Sequence, residues 1–197
     1  MLTAPALRAV GLLTAWGNGG AALPVDALTA AGDRSVLSLG RPAFDRDRLR
    51  RVPRECVLGL AAVEAMLEDA RAGREAISGE RTGLLYASAG SYGASNRLFI
   101  DRGSGGAYFP YTAPAAVPAE VAIEFGITGP YAVFIGGPPA TLRAIWYAAT
   151  LLKAALCERV LVLAVETFEE CADLYIRGRR LTGHPLVEAA GCLWLEP

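Results

Sequence analysis

Short continuous apolar runs alternate along this chain with longer stretches in which apolar residues recur every three or four positions. The first pattern fits buried strands and the second amphipathic helices. Leu7 to Ala15 is the first strand candidate, and the polar, proline-punctuated stretch from Gly17 to Pro53 holds at most short helical pieces. The spacing predicts a helix over Arg54 to Arg71, with Cys56, Leu60, Val63 and Leu67 on one stripe and Glu64 and Glu68 on the other face. Arg81 to Ser88 reads as a short buried strand, followed by a helix and a loop marked by Gly103, Gly105 and Gly106. A helix over Pro114 to Phe125 is entered through Pro118 and stopped by Gly126, and Gly129-Pro130 turns the chain into a strand at Tyr131 to Ile135. The next helix runs from Pro139 to Leu156, with Leu142, Ile145, Ala149, Leu152 and Leu156 sharing a face. A strand over Arg159 to Val165, a helix over Glu169 to Ile176 and a last strand over Ala190 to Glu196 complete the series. Strands alternating with helices imply an α/β architecture, a mostly parallel sheet covered on both faces. Neither an internal repeat nor a second domain is evident, so residues 1–197 are expected to form one domain.

Composition narrows the function. The chain has 197 residues, 53% hydrophobic and 20% charged, enough to bury a core. A net charge of -1 offers no electrostatic footprint for nucleic acid. Met1 to Ala15 lacks the cleavage pattern of a secretory signal, and the apolar run from Ala140 to Val165 is interrupted by Arg143, Lys153, Glu158 and Arg159, so a cytoplasmic protein without a membrane span is expected. Cys56, Cys157, Cys171 and Cys192 are widely spaced and no histidine cluster accompanies them, so no metal site or cofactor is expected. Cys56 and Cys192 sit in apolar stripes and read as core.

One stretch bears on chemistry. Tyr131 to Ile145, YAVFIGGPPATLRAI, reads as a strand, a Gly-Gly turn and a helix start. That arrangement places a side chain at the positive end of the helix dipole, where a thiolate or an oxyanion is stabilised. Here the turn holds Gly136, Gly137, Pro138 and Pro139, and no nucleophile is among them. The same four residues serve as a helix start more readily than as an anion site, because proline suits the first helical turn and lacks an amide donor.

Four further segments stand in order along the chain: Thr82-Gly83-Leu84-Leu85, YFPYTAPAAVPAEVAIEFGITGP over Tyr108 to Pro130, RVLVLAVE over Arg159 to Glu166 and VEAAGCLWLE over Val187 to Glu196. With these segments the chain resembles the N-terminal half of beta-ketoacyl synthases, and the resemblance carries expectations. It implies a thiolase-like half, three-layered, with a mixed and mostly parallel five-stranded sheet and helices on both faces. In that family the elbow carries an acyl-accepting cysteine. Counting back from Ala144-Ile145 puts Pro138 in its place, and no register recovers a thiol. Proline would also remove the backbone N–H that stabilises an oxyanion at such a residue. The family's two catalytic histidines lie in its C-terminal half, whereas His184 is the single histidine here and reads as a loop residue. Cys171 is the one thiol worth weighing as a displaced nucleophile, and its neighbours Leu174 and Tyr175 suggest ordinary packing.

The resemblance therefore implies a catalytically incompetent subunit, an accessory, scaffold or chain-length-factor-like partner in fatty-acid or aryl-polyene-type polyketide synthesis. Two alternatives stand beside it: half of a split synthase active only with a partner, and a carrier-protein or acyl-chain binding module. Arg46, Arg48, Arg50, Arg51 and Arg54 form the densest basic cluster and are candidates for docking an acidic acyl carrier protein, with Arg177, Arg179 and Arg180 a second cluster. Tyr131, Val133 and Ile135 on the strand and Trp146 on the adjoining helix are candidate contacts of a homodimer or of a heterodimer with a ketosynthase-like subunit.

Overall fold

A computed structural model describes residues 5–44, 47–90, 92–102, 108–137, 139–175 and 183–197. Eight strands and five helices follow one another as β1 (Ala6–Thr14), β2 (Gly17–Asn18), α1 (Ala27–Ala31), β3 (Val36–Leu37), α2 (Arg54–Ala70), β4 (Thr82–Ser88), α3 (Gly93–Arg102), α4 (Ala116–Phe125), β5 (Tyr131–Ile135), α5 (Pro139–Lys153), β6 (Arg159–Glu166), β7 (Leu186–Val187) and β8 (Ala189–Glu196) among the described residues. The main sheet has six strands in the order β2-β1-β8-β6-β4-β5, and β3 and β7 make a small parallel pair beside it.

Three layers result, as expected. α2 and α4 pack on one face, burying Leu84, Tyr86, Leu161, Leu163, Cys192 and Trp194 with Cys56, Leu60, Val63 and Met66 of α2. α5 packs on the other face over β4, β5 and β6, against Leu85, Ala87, Val160 and Val162. β4 is buried along its whole length because parallel neighbours flank it and helices cover both sides, which explains its unbroken apolar run. α2 lies so close to β1 that a Cβ on Gly11 would come within 2.0 Å of the Ala62 carbonyl oxygen. Only glycine permits that approach.

The sheet is mixed, but its balance differs from the expectation. β1, β6, β4 and β5 point the same way, while β8 enters between β1 and β6 and runs against both, so most pairings are antiparallel; the two-residue β2 adds a sixth strand. The cause lies in the segment between β6 and β8. It leaves and re-enters at the same end of the sheet, Glu166 pairing with Ala189, so no crossover helix is needed and the strand returns antiparallel. The helix expected over Glu169 to Ile176 is a 3-10 turn at Glu169–Cys171 followed by a helical turn over 172–175.

α5 also turns a different face inward from its large apolar stripe. Ala140, Ala144, Ala148, Leu151 and Leu152 are buried, while Leu142 is 68% and Leu156 61% exposed. Small alanines let the helix settle closely on the strands; of the expected stripe Leu152 is buried with them, Ile145 and Ala149 are half-buried, and Leu142 and Leu156 are left outside.

Candidate functional site

The turns of interest lie at the carboxyl ends of β4, β5 and β6. The connection leaving β4 runs through α4 on one face and the connection leaving β5 runs through α5 on the other, so the chain diverges between the two strand ends. Such divergence marks where α/β sheets place their ligand sites. At this point lies the elbow predicted from sequence. Gly136 has φ 147°, a conformation that favours glycine, and its N–H donates to the Ser88 carbonyl at 3.0 Å. The Ala140 N–H donates to the Gly137 carbonyl at 2.8 Å, starting α5 at Pro139. A Cβ at Gly137 would meet no atom of the described residues within 4 Å. Pro138 lies outside the described residues.

Glu166, the last residue of β6, lies on the far side of β4 from the elbow. Its carboxylate accepts hydrogen bonds from the N–H of Ala89 and, at 3.2 Å, from that of Gly90. Burial pushes its pKa up, against the pull of those two amides and of the Ser88 hydroxyl. The two N–H groups that a bound anion could use at this loop are thus taken by the protein's own carboxylate. Tyr175 donates its hydroxyl to the Gly90 carbonyl at 3.1 Å and stacks edge-on against Phe168 at 5.0 Å, fastening the segment after β6 over the same loop. A carboxylate closing an otherwise apolar strand was the sequence signal for Glu166.

The thiols lie apart from this turn chemistry. Cys56, Cys157, Cys171 and Cys192 are all buried and unpaired, and burial raises the pKa of each. Cys171 packs against the start of α3, its sulfur 3.4 Å from where a Cβ on Gly93 would stand. His184 is exposed in the stretch leading to β7. Among the described residues no group of three or more His, Cys, Asp or Glu side chains could hold a metal ion, and no helix is long and apolar enough to cross a membrane.

The arginines predicted as one patch are divided by the fold. Arg48 pairs with Glu120 and, at 2.8 Å, with Glu124 of α4. Arg54 is drawn inward, its side chain 11% exposed, between Glu170 at 2.6 Å and the fully buried Glu188 at 2.6 Å. Glu188 also accepts the N–H groups of Leu39, Phe168 and Glu169, so its pKa is held down despite burial. Arg54 and Glu188 are therefore a structural clamp joining α2, the turn after β6 and the entry to β8. Arg50, bound to Asp47 at 3.3 Å, and Arg51 remain exposed, and Arg46 lies outside the described residues, as do Arg177, Arg179 and Arg180.

Arg50 and Arg51 border a groove of about 780 Å³ whose other walls include Arg41, Arg97, Tyr108 and Tyr111. Arg41, which the sequence reading passed over, donates to the carbonyls of Leu49 and Val52 at 2.7 and 2.8 Å and so holds the basic turn in place. At the groove floor Glu55 accepts a hydrogen bond from the Ser95 hydroxyl, and burial raises its pKa.

The proposed contact residues fall near the sheet edge. β5 is the last strand, with Tyr131 50% and Ile135 46% exposed, and Val133 packs partly against the core. The Tyr147 ring of α5 packs tilted against Phe134 of β5 at 5.9 Å, while Trp146, one position round, is 72% exposed.

Solved structures share this fold. A type II polyketide acyl-carrier protein in complex with its ketosynthase matches with TM-score 0.77 at 19% identity, covering 100% of this chain and 63% of that one. The ishigamide ketosynthase/chain length factor matches with TM-score 0.76 at 21% identity, covering 99% of this chain and 62% of that one. A ketosynthase in complex with its chain length factor from Xenorhabdus doucetiae matches with TM-score 0.71 at 14% identity, covering 98% of this chain and 79% of that one. The chain thus spans under two thirds of the length of the first two. No curated protein matches the sequence. The sequence pattern of the beta-ketoacyl synthase N-terminal domain matches residues 40–177, from the basic turn before α2 through the elbow to the segment after β6, and on that match the chain belongs to the beta-ketoacyl synthase family through this domain.

Proposed function

We propose that this chain is a non-catalytic ketosynthase-like subunit that supports an active ketosynthase, in the manner of a chain length factor, in fatty-acid or aryl-polyene-type polyketide synthesis. The observation that carries the reading is the make-up of the elbow. The turn that presents sulfur in condensing enzymes is built from Gly136, Gly137, Pro138 and Pro139, while every thiol in the chain is buried with a raised pKa. A protonated, packed thiol is a poor nucleophile. The ketosynthase/chain length factor complexes among the structural neighbours support a heterodimeric setting. The edge strand β5 offers a row of backbone donors and acceptors and two exposed apolar side chains for pairing with such a partner.

A second reading, carrier docking, draws on the groove at Arg50 and Arg51, where exposed guanidinium groups suit an acidic helix. It is compatible with the first, since an accessory subunit can hold the carrier while its partner does chemistry.

Intact-protein mass spectrometry after incubation with malonyl- and acyl-loaded carrier protein, alone and with a purified catalytic ketosynthase, tests the proposal. The expected result is no acyl adduct on this chain in either mixture, together with a stable complex with the ketosynthase in size-exclusion chromatography. An acyl adduct formed by the chain alone would refute the non-catalytic reading, and one appearing only with the partner would favour a split synthase.

A further inference from the structure

α3 is held to the rest of the chain mainly by polar contacts. Among the described residues none of its side chains belongs to either buried apolar cluster. It packs chiefly against the 3-10 turns at Phe109–Thr112 and Glu169–Cys171, with the Phe99 ring tilted against Phe109 at 6.0 Å. Three of its side chains fasten it. The Ser95 hydroxyl donates to Glu55 of α2, the Arg97 guanidinium donates to both carboxylate oxygens of Asp173, one bond at 2.7 Å, and the Asn96 amide donates to the Thr112 carbonyl at 3.1 Å. The Arg97 pair faces water, Asp173 being 58% exposed, so it adds little. The contact between Ser95 and Glu55 is buried on both sides. An element with so little buried apolar contact belongs to the part of a fold that opens first. α3 is also a wall of the groove described above, to which it gives Ala94, Ser95 and Leu98 over the Glu55 floor.

We propose that α3 is a lid on this groove and that ionisation of Glu55 releases it. Glu55 is faced by Arg54 and Cys56 on its own helix, by Glu170 and Cys171 from the turn after β6, by Arg97 and Asp101 from α3, and across the groove by Arg41, Arg50, Arg51, Tyr108 and Tyr111. The two thiols stay protonated, Glu170 repels a second carboxylate, and Arg54 is already engaged by Glu170 and Glu188. An ionised Glu55 under the closed lid therefore carries a buried charge with a hydroxyl as its donor, which is costly. Lifting α3 brings water to the carboxylate and removes that cost. Because burial raises the closed-state pKa of Glu55, the lid is held below the ordinary value near 4.5 and loosens as pH rises from there through the higher closed value. Within that window each pH unit raises the open fraction by up to about tenfold. Opening removes a wall of the groove and uncovers Cys171, whose sulfur packs against the start of α3. Lid opening does not depend on which ligand the groove takes.

Cys171 is the reporter. The full chain, as wild type, Glu55→Gln and Ser95→Ala, is treated at pH 4.5 and pH 8 with dithiodipyridine, a thiol reagent active at acid pH, and each cysteine is read by peptide mass spectrometry. Cys192, fully buried in the larger core, measures global unfolding. Glutamine keeps an acceptor for Ser95 and cannot ionise. At pH 8 the expected result is Cys171 modified at least about tenfold faster than Cys192 in wild type, and at least about threefold slower in Glu55→Gln than in wild type. At pH 4.5 wild type and Glu55→Gln agree within about twofold, while Ser95→Ala is faster than both. Hydrogen–deuterium exchange of wild type, corrected for the intrinsic rate at each pH, shows protection of 93–102 falling at least about threefold from pH 4.5 to pH 8 while that of 82–88 holds. Equal modification of Cys171 and Cys192 in wild type, a Glu55→Gln rate at pH 8 equal to that of wild type, or constant protection of 93–102 across this range would overturn the proposal. The wild-type exchange profile decides it without any variant having to fold.

Discussion

Replacing Glu188 by Gln tests how the fold is closed. The Glu188 carboxylate is fully buried and accepts hydrogen bonds from both terminal nitrogens of Arg54, at 2.6 and 2.8 Å, and from the N–H groups of Leu39, Phe168 and Glu169 at 2.7, 2.7 and 2.8 Å. The amide cannot satisfy all five donors, and it leaves Arg54 with Glu170 as its close anion. Breaking a buried pair from one side costs about 3–5 kcal/mol, and the remaining Glu170 contact puts the expectation near the lower end, about 3 kcal/mol. For a chain of this size that is a fall in melting temperature of roughly 6 to 12 °C. Scanning calorimetry at pH 7 reads it directly. The pH dependence gives a second reading. Because the folded-state pKa of Glu188 is depressed, its stabilisation is present above the unfolded value near 4.5 and is lost as pH falls through the lower folded value. Wild type and Glu188→Gln should therefore converge on acidification. A shift under 2 °C at pH 7, or a gap that widens toward pH 3, would refute the clamp.

Glu55 predicts the opposite slope: burial raises its folded pKa, so stability falls as pH rises from about 4.5 through that higher value, and Glu55→Gln should be more stable than wild type at pH 8 in urea melts while the two agree at pH 4. Gly11→Ala should destabilise the chain by about 1–3 kcal/mol, because the new methyl meets the α2 backbone at Ala62 and Met66 rather than a movable side chain; unchanged denaturant midpoints would contradict the close helix–strand approach. Carrier-protein binding, measured by isothermal titration, should weaken as salt rises and weaken further in the Arg50→Glu, Arg51→Glu double variant, with no loss in Arg177→Glu if the groove is the docking face.

Much of the framework was legible because its signals are local. The stripe of α2, the unbroken apolar run of β4 and the Gly-rich turn before α5 each follow from neighbours within a few residues, and the boundaries observed for α2, β5 and β6 lie within two residues of those expected. The burial of Cys56 and Cys192 was readable in the same way. The inward face of α5 was not, since its alanine stripe carries less hydrophobicity than the Leu142 and Leu156 stripe it displaces, and only the nearness of parallel strands selects the small residues. The basic cluster also looked uniform in sequence. Glu120 and Glu124 claim Arg48, and Glu170 and Glu188 claim Arg54, from positions far along the chain.

The sequence by itself determined the family, the order of the longer strands and helices, and the chemical character of the elbow, because those depend on residue identity and short-range spacing. Tertiary structure decided the antiparallel entry of β8 between β1 and β6, the division of one arginine run into a clamp and an open groove, and the alanine face that α5 turns inward. These depend on which distant segments meet, and a pairing between residues more than a hundred positions apart leaves no trace in local periodicity.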